Sequence, residues 1–364
     1  MKEFTSFEIS ENTFKKINES KDSMGFAKKS WDDWFNSLLS ISNDDKSDKN
    51  TIEQIIRKNA SNSWYKQWVR NFAINLPHIW KDPSAIELAK TRNSDSSALV
   101  IGRGPSIVKH NHLELLAKSD FKGAIICADG NLLNVLEAGI TPDKFNLFVV
   151  TIDAQENQKK CYEHELIKKF GNGIKCIFST TAHPQAYLAA KNAGLQVYWI
   201  HTLFDFEEGK KSFNQIQGIM SRAQNNEKKI PAIQTGANVG TSSWVIGWSI
   251  LKCNHIGLIG LDLGYDDSTP WDKISYHGYP IPTDIDKNSE IFKRAYPTIY
   301  NSEFDCNCKQ DPLFLYYCNA LKEFIQKTQN KVKTINATEG GALFGEGVHC
   351  TSLKNFVDNY NFSL

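Results

Sequence analysis

The sequence lacks any long apolar run. Its longest hydrophobic stretches, such as AIIC at 124–127 and LFVV at 147–150, are far shorter than the roughly 20 residues that a membrane-spanning helix needs. The first residues, MKEFTSFEISENTFKK, are charged and lack the apolar centre of a secretory signal. We therefore expect no membrane span, and we predict a cytoplasmic protein.

Several other signals are also missing. The 42 basic and 41 acidic side chains leave a net charge of +1 without a block of one sign, so no nucleic-acid partner is predicted. The eight cysteines are scattered, which is typical of reduced, buried thiols rather than of a zinc site. No G-x-S-x-G segment is present, which argues against a serine triad, and no His/Cys/Asp group has metal-ligand spacing.

What is present is an alternation of short apolar runs with amphipathic stretches. Candidate strands cover 97–102, 123–129, 147–153, 174–180, 195–200 and 255–263. Strand and helix patterns that alternate in this way are typical of a parallel sheet covered on both faces. We predict an α/β fold: a Rossmann-like, doubly wound, mostly parallel sheet over 96–266, with a helical N-terminal region (1–95) and, over 267–364, a flap and a mixed C-terminal extension.

Ligands of open parallel sheets bind at the carboxyl ends of the strands. The first such end is GRGPS, in which glycines at 102 and 104 permit a close backbone approach and Ser106 offers a hydroxyl. The backbone amides of this loop would point at an anion. The loop is either a phosphate cradle or a tight strand-to-helix turn, and the motif alone does not choose. The residues of this end that we predict to bind nucleotide are Gly102, Gly104, Pro105 and Ser106.

Carboxylates follow the next two strands. Asp129 and Asp153 can accept hydrogen bonds from a ribose, bind Mg²⁺ that bridges phosphates, or simply cap helices. On neighbouring strands they would bracket one crevice with GRGPS. The further polar residues that we assign to nucleotide binding at strand ends are Gly130, Asn131, Thr180 and Tyr265.

The run QTGANVGTSSW joins a small-residue loop to a long apolar helix. It is either a second anion-binding helix start or a place where a helix packs closely on the sheet. The predicted nucleotide contacts here are Gly236, Asn238, Gly240, Thr241 and Ser242.

Five segments, in order, resemble the MptE-like (DUF115) family, which includes archaeal 6-hydroxymethyl-dihydropterin diphosphokinases and the bacterial Maf flagellin glycosyltransferases. They are LVIGRGPSI, ADGNLLNVLEAGITPD, VVTIDAQE, TGANVGTSSWVIGWSILKCNHIGLIGLDLGY and INATEGGALFGEG. The resemblance covers about 97–265 and 334–347. It implies a Rossmann-like transferase that uses a nucleotide-activated donor.

The third strand and the C-terminal segment look more similar to the Maf branch. Thr151 to Gln155 offers one aspartate rather than a Thr-Asp-Leu-Asp pair, and Asn336 to Gly341 also looks like Maf. We therefore favour a glycosyltransferase whose donor is a sugar nucleotide such as a CMP-activated nonulosonic acid, with a small-molecule, glycan or protein acceptor. The absence of an Asp-x-Asp motif is compatible with a metal-independent leaving group, so no metal ligand is predicted.

Transfer needs a base for the acceptor proton. The candidate bases are Asp153, Asp262 and His183, in no fixed order, and the predicted substrate contacts are Gln155, His277, Glu339 and Gly340.

Two alternatives remain open. One is the pterin diphosphokinase, with ATP and Mg²⁺ at the same crevice and an aromatic slot built from Trp199, Tyr265 and Trp271. The other is a nucleotide-sugar-binding protein that has no catalytic base.

Overall fold

The structure is a computed structural model that describes residues 52–89, 96–203, 212–225, 227–276, 279–280, 287–288, 292–293 and 296–364. Its α-helices are α1 (Ile52–Lys81), α2 (Ser106–Lys109), α3 (His112–Lys118), α4 (Leu132–Glu137), α5 (Glu165–Phe170), α6 (Pro184–Asn192), α7 (Phe213–Met220), α8 (Val239–Ser249), α9 (Pro312–Thr328) and α10 (Leu353–Asn359). Within this part of the chain, no helix combines the length and the apolar character that a bilayer crossing demands.

A nine-stranded, entirely parallel sheet forms the centre of the molecule. Its strands are β1 (Ser97–Ile101), β2 (Ala124–Ala128), β3 (Asn146–Thr151), β4 (Lys175–Ser179), β5 (Gln196–Thr202), β6 (Ala232–Ile233), β7 (His255–Ile259), β13 (Lys333–Asn336) and β14 (Val348–Cys350). They lie in the order β14-β13-β7-β1-β2-β3-β4-β5-β6. The order of the strands reverses between β1 and β7, which are neighbours in the sheet but far apart in the sequence.

Five short strands lie outside this sheet. They are β8 (Tyr265–Asp266), β9 (Ser275–Tyr276), β10 (Tyr279–Pro280), β11 (Thr298–Asn301) and β12 (Cys306–Lys309). β11, β12 and β8 form an antiparallel sheet, and β9 pairs with β10.

Successive residues of each central strand face opposite layers of helices. In β1, Leu99 and Ile101 pack in the layer that contains α1, α4 and α6, whereas Ala98 and Val100 pack in the layer that contains α8 and α9. Because both faces are covered, the strand reads as a continuous apolar run with no polar alternation. The predicted α/β fold with a doubly wound parallel sheet is therefore confirmed.

Helix α1 is tied to the carboxyl ends of the strands by buried amide side chains. Asn75 Nδ2 donates to the carbonyl oxygens of Thr180 (3.1 Å) and Ala182 (2.9 Å), and Asn71 Nδ2 donates to those of Ala154 (3.0 Å) and Thr181 (3.1 Å). These carbonyls follow β3 and β4 and have no ladder partner there, so the helix supplies the donors that the loops need. Helix α1 thereby holds the loop that carries Asp153.

The C-terminal region contributes two strands to the central sheet. β13 pairs with β7, and β14 pairs with β13, both in parallel register. The strand β13 lies within the segment KVKTIN, and the helix α9 precedes it in the chain. The segment 336–341 therefore begins at the same edge of the sheet as GRGPS. The division of the chain into three regions stays a prediction.

We expect Asn75→Ala to lower the free energy of unfolding by about 1–3 kcal/mol, because two buried carbonyl oxygens would lose their donor. Chemical denaturation monitored by circular dichroism measures the change. Lys66→Ala, at an exposed position of the same helix, is the control and should change it by less than about 0.5 kcal/mol. Equal stability of the two variants would contradict an anchoring role for Asn75.

Candidate active site

The candidate site lies where the strand order reverses, at the carboxyl ends of β1, β2, β3 and β7. Two loops meet there: the β1 loop, residues 102–105, and the β7 loop, residues 260–264. In open parallel sheets this is the usual position of a ligand. The order of strands thus brings GRGPS beside LDLG, which is 156 positions further along the chain.

The backbone amides of the β1 loop bind the protein itself. Gly102 N donates to Ile259 O (2.9 Å), and Gly104 N donates to Gly260 O (2.8 Å). We expected these amides to point at an anion, and the structure corrects that expectation, because both continue the β1–β7 hydrogen-bond pattern past the strand ends.

The glycines of GRGPS are needed for this close approach. A Cβ atom on Gly102 would lie 2.2 Å from Gly260 O, and one on Gly104 would lie 1.7 Å from an Asp262 carboxylate oxygen. Neither separation is tolerated by any side chain. The two glycines therefore serve loop-to-loop packing.

Ser106 and Asp262 complete the join between the two loops. The Ser106 hydroxyl donates to Asp262 Oδ2 (2.8 Å), and its amide donates to Oδ1 (3.3 Å). Burial raises the pKa of Asp262, and the hydrogen bonds from Ser106 oppose that rise. Both oxygens of this candidate base are thus engaged in holding α2, whose first residue is Ser106.

Asp129 and Asp153 form what we call the acid pair. Asp129 is only 5% exposed; its Oδ1 accepts from Gly130 N (2.7 Å), and its Oδ2 has no hydrogen-bond partner in the described part of the chain. Burial raises the pKa of Asp129 to about 7, and the charge of Asp153 contributes to the rise. Asp153 is exposed, yet partial desolvation raises its pKa as well, and Gln158 Nε2 donates to its Oδ2 (3.1 Å). The charge of Asp153 acts on Asp129, so the two carboxylates are near each other, and a crevice between them stays a prediction.

Arg103 lies near Asp129 and was absent from the residues predicted from the sequence. Its positive charge lowers the pKa of Asp129, and its guanidinium lies against Gly130. The sequence signal that could have identified Arg103 is a basic residue between two glycines at the end of a strand. The glycines themselves suggest a ligand-binding loop, but their backbone amides form hydrogen bonds to the β7 side.

The candidate base His183 has a structural role. His183 is the N-cap of α6, where its Nδ1 accepts a hydrogen bond from Gln185 N (3.2 Å). Burial lowers the pKa of His183. A base must accept a proton at a free nitrogen, and Nδ1 of His183 already accepts the hydrogen bond that caps the helix.

The N-terminus of α8 is capped by the side chain of Asn238. Asn238 Oδ1 accepts from Thr241 N (2.8 Å), and the Ser242 hydroxyl donates to Asn238 O (2.8 Å). Thr241 and Ser242 are fully buried. Gly240 lies against Leu261, which also contacts Gly102, so α8 packs closely on the β7 loop. Gly236 takes a positive φ of 56° at the preceding turn.

Two further predicted nucleotide contacts are buried in the protein. Thr180 is fully buried, and its hydroxyl bonds to His201 Nδ1 (3.0 Å) and Gln217 Nε2 (3.2 Å). Asn131 Nδ2 donates to Gly102 O (2.8 Å), which ties the β2 end to the β1 loop. These two side chains hold the loops in place and present no free polar atom to a ligand.

The predicted substrate contacts are dispersed. Gln155 is exposed beside Asp153, whereas Glu339 Oε1 accepts from Leu353 N (3.1 Å) and bonds to His112 Nε2 (3.2 Å). Gly340 is half-buried in the turn after β13. His277 lies outside the described residues.

The aromatic residues do not build a slot together. Trp199 is fully buried and stacks on Tyr187 with a centroid distance of 5.2 Å. Tyr265 packs on Phe314, and Trp271 packs on Phe292 and Tyr296. The expected slot is corrected accordingly, because Trp199 belongs to the hydrophobic core. Across the described ranges, no group of three or more metal-ligating side chains is close enough to hold an ion.

Fold and geometry together define a Rossmann-like α/β protein with an acid pair at the strand-order reversal. The model of the family described as 6-hydroxymethylpterin diphosphokinase MptE-like matches residues 70–268, which is more than half of the chain. The chain belongs to this MptE-like family.

One solved structure with a similar chain path is a Maf glycosyltransferase from Magnetospirillum magneticum AMB-1. The identity is 15% and the TM-score is 0.49, with 77% of this chain and 39% of that chain covered. The chain therefore spans about two fifths of the length of that glycosyltransferase. No curated protein matches the chain significantly.

We expect Gly102→Ala to lower the free energy of unfolding by about 1–3 kcal/mol, because its Cβ would push against the backbone of Gly260. Gly218→Ala is the matched control, since a Cβ there meets no atom within 4 Å and alanine favours its helix. Thermal and urea unfolding compare the two. A stable, cooperative Gly102→Ala protein would show that the two loops do not depend on each other.

We expect Asp129→Asn to change how stability depends on pH. The pKa of Asp129 is raised in the folded protein, so the folded state binds more protons than the unfolded state between about pH 4 and pH 7, and stability falls as the pH rises through that window. The variant should flatten this fall and be more stable at pH 8, by up to roughly 4 kcal/mol. Urea titrations of both proteins from pH 4 to pH 8 test it. Parallel stability curves would contradict the raised pKa.

Proposed function

We propose that the protein is a transferase that uses a nucleotide-activated donor, and that the group it transfers is a sugar. Membership of the MptE-like family supports the general class. The observation that carries the proposal is the acid pair, in which a buried carboxyl with an unpartnered oxygen lies beside an exposed carboxylate at the reversal of strand order. Acid–base chemistry requires titratable groups of this kind near neutral pH.

Asp153 is the base in this proposal. Asp262 is engaged by Ser106, and His183 is engaged as a helix cap, so Asp153 is the exposed candidate. Desolvation raises its pKa, which makes its carboxylate more basic. The backbone of Asp153 is held in place, because His183 N donates to Asp153 O (3.2 Å) and a side chain of α1 donates to the carbonyl oxygen of Ala154.

The transfer step involves one bond formed and one bond broken. The acceptor oxygen attacks the anomeric carbon of the donor, and its proton passes to Asp153. The bond between that carbon and the phosphate oxygen breaks, and the electron pair leaves with the phosphate. A positive group near the departing phosphate would stabilise the charge that develops there.

Two features favour a sugar donor. The segment 151–155 supplies one aspartate only, and the segment 336–341, which resembles Maf, lies against the β7 loop. In that contact Ala342 N donates to Asp262 O (2.8 Å), and a Cβ on Gly341 would lie 2.5 Å from the same carbonyl oxygen. A segment beyond the family match therefore forms part of the wall of the candidate site.

A pterin diphosphokinase is the second candidate. The description of the family and the two adjacent carboxylates favour it, because Asp129 and Asp153 are the side chains that would meet a Mg²⁺ ion bridging ATP phosphates. The burial of Trp199 removes one wall of the expected pterin slot.

The nucleotide is tested by thermal shift with CMP, CDP, UDP, GDP, AMP and ATP, each with EDTA and with Mg²⁺, because a bound ligand raises stability by mass action. We expect stabilisation by a pyrimidine nucleotide in EDTA. Stabilisation by ATP only with Mg²⁺, together with AMP release from ATP and a hydroxymethylpterin, would replace sugar transfer with the diphosphokinase. No response to any nucleotide would contradict both candidates.

The base is tested by three substitutions. Asp153→Asn should slow hydrolysis of a CMP-activated nonulosonic acid by about 100- to 10,000-fold while the nucleotide still raises the melting temperature. His183→Asn keeps an effective cap and should retain activity. Asp262→Asn should lower the melting temperature, since it weakens the bond to Ser106. Full activity in Asp153→Asn would exclude it as the base.

A further inference from the structure

The Arg103 side chain lies close to Gly130, a residue that has no side chain. A Cβ atom on Gly130 would be 2.7 Å from Arg103 Nη1, 3.0 Å from Cζ and 3.1 Å from Cδ. The guanidinium of the β1 loop therefore reaches across to the end of β2. Only glycine at 130 leaves this space.

The guanidinium is not used by the protein. Among the described residues it has no ion pair and no hydrogen bond, although Arg103 is exposed and its charge acts on Asp129. Lys109, the next cation along the chain, differs because it pairs with Asp266 at 2.8 Å. Arg103 thus offers several free N–H donors at the candidate site.

The rest of the GRGPS segment offers few donors. The amides of Gly102 and Gly104 bond to the β7 side, Pro105 has no N–H, and the Ser106 amide and hydroxyl bond to Asp262. An anion that binds here must find its hydrogen-bond donors elsewhere. Arg103 supplies the donors of the segment that remain, namely its backbone amide and its guanidinium.

We propose that Arg103 binds the phosphate of the nucleotide that leaves the donor, and that its contact with Gly130 positions it for this. This inference rests on the proposed function. A guanidinium presents paired N–H donors that match two phosphate oxygens, and it keeps its charge at every working pH. As the carbon–oxygen bond of the donor breaks, the electron pair that stays on the phosphate oxygen is stabilised by this charge.

The surroundings of Asp129 support the assignment of Arg103 to phosphate binding. A phosphate next to a buried carboxylate would be repelled, but burial raises the pKa of Asp129 to about 7, and in the protonated form its unpartnered Oδ2 can donate a hydrogen bond. The charged groups that act on Asp129 are Asp153 and Arg103, and Asp129 in turn raises the pKa values of Cys127, Cys161, Tyr162 and Cys176. Arg103 is the cation in this set.

The test compares a nucleoside with its monophosphate. Affinities of the full chain for cytidine and CMP, and for adenosine and AMP, are measured by calorimetry for the wild type, Arg103→Ala, Arg103→Lys and Gly130→Ala. We expect Arg103→Ala to weaken binding of the monophosphate by about 10- to 100-fold and to leave the nucleoside unchanged. Arg103→Lys should lie between the two.

Gly130→Ala is the sharpest variant, because it keeps every charge and moves only the guanidinium. It should weaken the monophosphate in the same direction as Arg103→Ala while the melting temperature stays near that of the wild type. Lys109→Ala removes an exposed cation of the same neighbourhood and should leave both affinities unchanged, which controls for a general loss of positive charge.

The outcomes separate this inference from the proposed function. If the wild type binds a monophosphate tightly and Arg103→Ala binds it equally well, the assignment of Arg103 is wrong and the proposed function stands. If Lys109→Ala weakens binding as much as Arg103→Ala does, the effect is unspecific and the assignment is also wrong. If the wild type binds no nucleotide, both proposals fall together.

Discussion

The rest of the site depends on the join between the β1 loop and the β7 loop. Two amide-to-carbonyl hydrogen bonds and the Ser106–Asp262 pair hold together segments that the sequence separates by more than 150 residues. The join requires glycine at 102 and 104, because the chains approach too closely for a side chain. It also engages the amides of Gly102 and Gly104 and both donors of Ser106, which a phosphate cradle would offer. The segment thus acts as a turn in which, among the described residues, the Arg103 guanidinium forms no hydrogen bond or ion pair.

The acid pair lowers the stability of the fold at the place where the proposed function needs titratable groups. Asp129 is buried with one oxygen unpartnered, and an ionised carboxylate in that position is costly, so the folded protein holds its proton to a higher pH. The residues around Asp129 are held in place by the pairing of β2 with β3 and by the hydrogen bonds from the amide side chains of α1. The fold tolerates the poorly solvated acid because those elements determine its position.

Much of the fold was predictable from the sequence, and less of the site was. The six predicted strands all occur because buried parallel strands are continuous apolar runs bounded by polar turns. Asp129 and Asp153 were also predictable, since residues that follow neighbouring strands must lie at one edge. The roles of Thr180, Asp262 and His183 were not, because a hydroxyl, carboxylate or imidazole at a strand end looks the same in sequence whether it meets a ligand or a backbone amide.

The sequence by itself determined the class of the protein: the periodicity of its apolar residues requires a covered parallel sheet, and the order of its motifs places it in the MptE-like family. Only the tertiary structure decided which polar atoms remain free. Local patterns record the identity and spacing of residues, whereas the occupancy of a hydrogen-bonding group depends on what another part of the chain brings to it. Ile259, Gly260, Asp262 and Asn131 bond to the polar atoms of Gly102, Gly104 and Ser106, and the absence of a side chain at Gly130 leaves room for Arg103 near Asp129.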